Sequence, residues 1–124
     1  MGNLIFIDLR DRTGIVQLAF DDNTDPELLK KAKSCRSEFA LMATGVVRER
    51  ESKNKDMKTG DIEIYVDDLR ILAKAQTPPF EITDNTNVNE ELRLKYRYLD
   101  LRRGVLQKNI IMRSEIAKAA RDYF

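Results

Sequence analysis

The 124 residues carry 22 basic and 21 acidic side chains for a net charge of +1, so no global basic field draws the chain onto nucleic acid and any RNA contact must come from a local patch. No histidine and a single cysteine, Cys35, leave no basis for a zinc site, a Cys–His nucleophile or an internal disulfide. No apolar run approaches the roughly 20 residues that span a bilayer, and the N-terminus lacks a signal-peptide layout, so a cytoplasmic location is expected.

Leu4 to Leu9 and Ile15 to Phe20 are short β-rich runs joined by a charged turn that closes at Gly14, the pattern of a hairpin. Alternation puts Ile5, Ile7 and Leu9 inward with Val16, Leu18 and Phe20. Leu4, Phe6 and Asp8 then share the other face with Ile15, Gln17 and Ala19. Asp25-Pro26 opens a helix, an N-cap residue followed by proline at the first position. Leu28, Ala32 and Cys35 form its apolar stripe, and Cys35 reads as a small buried hydrophobe.

Phe39 to Val47 predicts a strand with a bulge or bend at Gly45. Arg48 to Asp61 reads as a long polar loop. Ile62 to Val66 alternates as a strand, which Leu69 to Leu72 continues or ends. The order strand, strand, helix, strand, strand is that of a five-stranded Greek-key OB barrel lacking its first strand. Two unprotected edges follow, and a trimmed chain is expected. Residues 1–72 are read as this domain, 73–88 as a linker with Pro78-Pro79, and 89–124 as a helical segment. Asn89 caps a helix with Leu92, Tyr96 and Leu99 on one face, interrupted at Gly104. A second helix runs from about Val105 to the end, so the class is mainly β with helices.

The segment I-F-I-D-L-R-D-R-x-G-I-V-Q, Ile5 to Gln17, resembles the anticodon-binding domain of bacterial aspartyl-tRNA synthetases. E-E-L-R-L-K-Y-R-Y-L-D-L-R-R, Glu90 to Arg103, resembles the hinge into the catalytic domain of class II synthetases of the aspartate, asparagine and lysine subgroup. T-G-D-I-E-I, Thr59 to Ile64, lies between them in register. The resemblance covers essentially the whole chain. It departs where Met1 stands in place of an arginine-rich turn, where Gly104 replaces a proline, and where the chain stops at Phe124 within the motif 1 helix.

The resemblance implies recognition of the tRNA(Asp) anticodon loop: Phe6 stacks on the central uridine, Gln17 hydrogen-bonds it, and Glu63 meets an outer base. Asn54 lies in the matching loop. Without the family, Phe6 reads equally as a core ring, and Gln17 and Glu63 as solvated strand residues. Arg48, Arg50, Lys53, Lys55 and Lys58 are candidate contacts to the RNA backbone or a solvated charged loop. Asp8 and Arg10 pair locally or meet RNA, and the basic stretch Arg93 to Arg103 touches tRNA or packs against the rest of the enzyme. Ile110, Ser114, Ala117 and Phe124 fall on the motif 1 helix, which builds the homodimer in the family. ATP and magnesium are implied for the full-length ligase and no cofactor for this stretch, which is expected to lack ligase activity. The alternatives are a stand-alone OB module for single-stranded nucleic acid and a non-catalytic interaction fragment.

Overall fold

The computed structural model describes residues 2–124, which divide into two compact units, one up to Thr77 and one from Pro78 onward. In the first, β1 (Ile5–Arg10) and β2 (Ile15–Phe20) form the expected antiparallel hairpin, with Phe6 opposite Ala19 and Asp8 opposite Gln17. Asp11 shapes the turn. Its carboxylate accepts from the Thr13 hydroxyl at 2.6 Å, the Thr13 amide at 2.7 Å and the Gly14 amide at 3.0 Å. Those bonds, the hydroxyl's foremost, hold its carboxyl below the usual carboxylate range.

Helix α1 (Pro26–Ser34) begins as the sequence predicts: Asp25 accepts from the Leu28 amide at 3.3 Å, and Pro26 occupies a position whose N–H would otherwise be unpaired. Leu28, Leu29 and Ala32 are buried. Cys35 caps the C-terminal end half-buried against the core, where desolvation pushes its thiol up.

Strands β3 (Ala40–Glu49) and β4 (Ile62–Ala73) pair antiparallel, and β4 lies parallel to β2, giving the sheet order β1-β2-β4-β3. The register of β3 against β4 slips at Thr44/Gly45, the expected bulge. Strand β3 runs past the predicted Val47 to Glu49, so Arg48 is a strand residue and not part of the loop. β1 and β3 are the edges of the sheet. Their inward residues Ile5, Ile7, Leu9, Leu41 and Ala43 are only half-buried against a centre made by Leu18, Phe20, Leu28, Leu29, Ala32, Val66 and Leu69. Arg10 does not pair with Asp8. It reaches Glu38, which has a left-handed backbone, at 2.9 and 3.1 Å, tying the end of β1 to the start of β3.

The second unit holds α2 (Glu90–Lys95), α3 (Arg97–Asp100) and α4 (Gly104–Tyr123). Asn89 caps α2 as expected, accepting from the Glu91 amide at 3.0 Å. The helix breaks at Tyr96, earlier than predicted, and Gly104 begins α4 instead of interrupting α2. Tyr96 leaves the helical region at φ −107° and ψ 49°, and beyond it Arg97 and Arg103 each reach the carboxylate of buried Asp100 at 3.3 Å. These two arginines of the basic stretch are thus tied up within the unit. Asp84, 21 residues upstream, accepts from the Val105 amide at 3.0 Å and so caps α4. No described helix is long and apolar enough to cross a membrane.

Candidate nucleic-acid interface

Residues paired across neighbouring strands share a face, so the register assembles the outer surface of the sheet in two rows. One row runs Asp8, Gln17, Glu63, Arg48 and the other Phe6, Ala19, Tyr65, Val46, each crossing β1, β2, β4 and β3 in that order. Three expected site residues, Phe6, Gln17 and Glu63, therefore stand together although far apart in sequence. Phe6 is 51% exposed and Val46 62%, and Phe6 stands opposite the small, buried Ala19.

Parity gives the correct face for Gln17 and Glu63 but not their exposure. Gln17 is 8% and Glu63 5% exposed, so neither is a solvated strand residue. The Gln17 Nε2 donates to Glu63 Oε2 at 2.9 Å, and Arg48 Nε donates to Glu63 Oε1 at 2.8 Å. Both carboxylate oxygens are engaged, which offsets the cost of removing that group from water. Arg48 is in turn held. Its guanidinium lies over the Tyr65 ring at 4.5 Å and approaches Asp21 at 3.9 Å. The Tyr65 hydroxyl donates to Asp21 Oδ1 at 2.8 Å, and this bond is the main cause of an Asp21 carboxyl held below its ordinary range. Thr24 completes the chain, donating to the Tyr65 oxygen at 3.4 Å and accepting from the Asp21 amide at 3.0 Å.

Tyr65, Val46 and Asp21 were not singled out from the sequence. The alternation of Ile62 to Val66 already put Tyr65 on the face of Glu63, and that was the available signal. Asp21 and Val46 join only through strand pairing.

The loop after β3 is tightly folded. Arg50 N bonds Asp61 O at 2.9 Å, Asn54 N bonds Gly60 O at 2.9 Å, and the Thr59 hydroxyl bonds Ile15 O beside the polar row. The Asn54 side chain accepts from the Asp56 amide at 3.0 Å, so its oxygen serves the loop. Arg50 is half-buried with its Nε buried and unbonded. Of the five basic candidates, Arg48 is committed to the row and Arg50 is folded inward, while Lys53, Lys55 and Lys58 are exposed. On α4, Ile110, Ser114, Ala117 and Phe124 recur on one helical face, and all but half-buried Ala117 are exposed.

The fold has relatives among known proteins. The family model for an OB-fold nucleic acid binding domain matches residues 1–72, and that for tRNA synthetases class II (D, K and N) matches residues 89–124. The chain is 55% identical to an aspartate–tRNA ligase of Ruminiclostridium cellulolyticum, over 100% of this chain and 21% of that protein. It is 52% identical to an aspartate–tRNA(Asp/Asn) ligase of a Thermoanaerobacter species, over 98% of this chain and 21% of the relative. The chain thus spans about a fifth of the length of these relatives. Among solved structures, asparaginyl-tRNA synthetase from Pyrococcus horikoshii, complexed with asparaginyl-adenylate, superposes with a TM-score of 0.77 at 28% identity, covering 99% of this chain and 27% of that one. Aspartyl tRNA synthetase from Entamoeba histolytica gives a TM-score of 0.85 at 20% identity, over 99% of this chain and 31% of that one, a likeness of fold alone. With its strands in the OB order and the family model spanning more than half its residues, the chain belongs to the OB-fold nucleic acid binding domains.

Proposed function

We propose that this chain is the anticodon reader of an aspartate–tRNA ligase. The OB unit receives the anticodon loop of tRNA(Asp), and the helices of the second unit lead into the part of the enzyme that joins aspartate to that tRNA with ATP and magnesium in the cytoplasm. No residue here is assigned to aspartate, ATP or the metal.

One observation carries the reading: a half-exposed ring, Phe6, stands diagonal to an oriented amide, Gln17, on the outer face of an OB sheet. A base stacked on Phe6 gains about 1–3 kcal/mol. The Gln17 amide lies at the distance of a diagonal cross-strand neighbour, about 7–8 Å between backbones, within reach of that base's edge. Glu63 and Asn54 flank this pair, and Lys53, Lys55 and Lys58 are free to meet phosphates. Identity to aspartate–tRNA ligases along the whole chain supports the choice of amino acid. A sequence-indifferent single-strand binder fits less well, because the second ring of the face, Tyr65, is covered by Arg48.

The test is a titration with an anticodon stem-loop at fixed low salt, beside a loop whose central uridine is changed. Phe6→Ala is expected to weaken the uridine loop by roughly 5- to 150-fold, the equivalent of one lost stack. Equal binding to both loops, indifferent to Phe6, would leave only charge-driven contact and end this reading.

The homodimer belongs to the same proposal. Ile110, Ser114, Ala117 and Phe124 give α4 a face for a second copy, and sedimentation should show a mass that rises with concentration. A monomer at every concentration would remove that part.

A further inference from the structure

We infer that Glu63 and Arg48 act on nucleic acid through Gln17. Together they lock its amide with the oxygen outward, so that the site accepts a base edge bearing an imino N–H beside a carbonyl and rejects one bearing a bare ring nitrogen beside an amino group. The inference rests on the anticodon-reading proposal and deepens it by naming two positioning residues behind the amide that meets the central uridine.

The argument is one of donors and acceptors. A glutamine amide can be turned over in place, exchanging oxygen for nitrogen at little steric cost, so something must decide its direction. Here that is Glu63. Its Oε1 is taken by Arg48 Nε at 2.8 Å and its Oε2 by Gln17 Nε2 at 2.9 Å. An ionised carboxylate only accepts, so the nitrogen of Gln17 must face it. Turning the amide over would set Gln17 Oε1 against Glu63 Oε2, two acceptors facing each other where both residues are more than nine-tenths buried. Glu63 cannot swing away to relieve this. Arg48 holds it, and Arg48 is itself fixed by the Tyr65 ring at 4.5 Å and by Asp21 at 3.9 Å.

The amide therefore presents a fixed pattern to the outer face. Its oxygen receives no donor from any described residue, and its second hydrogen is uncommitted. An acceptor beside a donor is complementary to uracil, through N3–H and a carbonyl, and to guanine, through N1–H and O6. Cytosine and adenine offer the reverse pattern and would need the turned-over amide that Glu63 forbids. Glu63 thus acts on the central base through the amide of Gln17.

Glu63→Gln tests this with little change of shape: Arg48 only donates, so a glutamine at 63 must give it the oxygen and turn its nitrogen to Gln17, which favours the turned-over amide. The wild-type chain is expected to prefer a stem-loop with central uridine over one with central cytidine by about tenfold or more. In Glu63→Gln that ratio should fall to about one or invert toward cytidine, while the melting temperature stays near wild type. Adding Glu63→Gln to Gln17→Ala should leave the ratio unchanged, since the lock then has nothing to hold. A Glu63→Gln chain that keeps the wild-type ratio, or that alters it equally in the Gln17→Ala background, overturns the inference and leaves the anticodon reading intact. A wild-type chain with no preference, insensitive to Phe6→Ala, sinks both. Independently of any variant, NMR should find the Gln17 side-chain amide hydrogen that is donated to Glu63 slow to exchange in the free protein. Exchange as fast as that of a solvated glutamine would overturn the lock directly.

Discussion

Phe20→Ala is expected to lower the unfolding free energy by about 3–5 kcal/mol, the usual result of emptying a fully buried aromatic site. Phe20 ends β2 opposite Ile5 and is 0% exposed, within the cluster that includes Leu18, Leu28, Leu29 and Leu69. Small domains have only about 5–15 kcal/mol in total, so this loss takes a large part of what holds the sheet to α1. The contrast with Phe6 is the informative part. The two rings lie in the same hairpin on opposite faces, and Phe6 is 51% exposed. Phe6→Ala should move stability by no more than about 0.5 kcal/mol while weakening RNA binding, and Phe20→Ala should do the reverse at temperatures where the chain still folds. Urea melts followed through the strand amides by NMR decide it. A cost below about 1 kcal/mol for Phe20→Ala would mean the core does not centre on that ring.

Local chemistry made much of the first unit legible. Hairpin, turn and α1 are each written in short range: alternation in Ile5 to Phe20, the Asp11 turn, and Asp25-Pro26 before an apolar stripe. The Gly45 bulge is likewise local. The site was legible as a face and not as an environment. Alternation assigns Glu63 a side of the sheet, but whether that side is wet depends on Gln17 and Arg48, which come from two other strands. Arg48 itself reads as loop because it opens a run of charges. It is a strand residue because Glu63 and Tyr65 give a guanidinium at that point both a counter-charge and a ring. The second unit shows the same limit. Residues 90 to 103 are good helix formers, yet the backbone leaves the helix at Tyr96 and resumes at Arg97, a break that propensity does not foretell.

Gly45→Ala is expected to cost about 1–3 kcal/mol and, unlike Phe20→Ala, to damage stability and base discrimination together. A Cβ at position 45 would stand 2.1 Å from the Tyr65 carbonyl oxygen and 2.9 Å from the Ile64 Cγ2. The first of these is backbone and has no rotamer to escape into, so β3 must lift from β4 at the bulge, where Val46 and Tyr65 pair. Arg48 lies two residues further along the same strand, and its contacts with Glu63 and the Tyr65 ring are made across this seam. Lifting the strand loosens Arg48, then Glu63, then the orientation of Gln17. The preference for a central uridine should therefore shrink even in the fraction that remains folded. Gly14→Ala is the matched control: a Cβ there meets nothing within 4 Å, and no described glycine has a positive φ. That change should stay within about 0.5 kcal/mol and leave discrimination alone. If Gly45→Ala were as silent as Gly14→Ala, the close approach of β3 to Tyr65 would be wrong, and with it the frame that holds Arg48 in place.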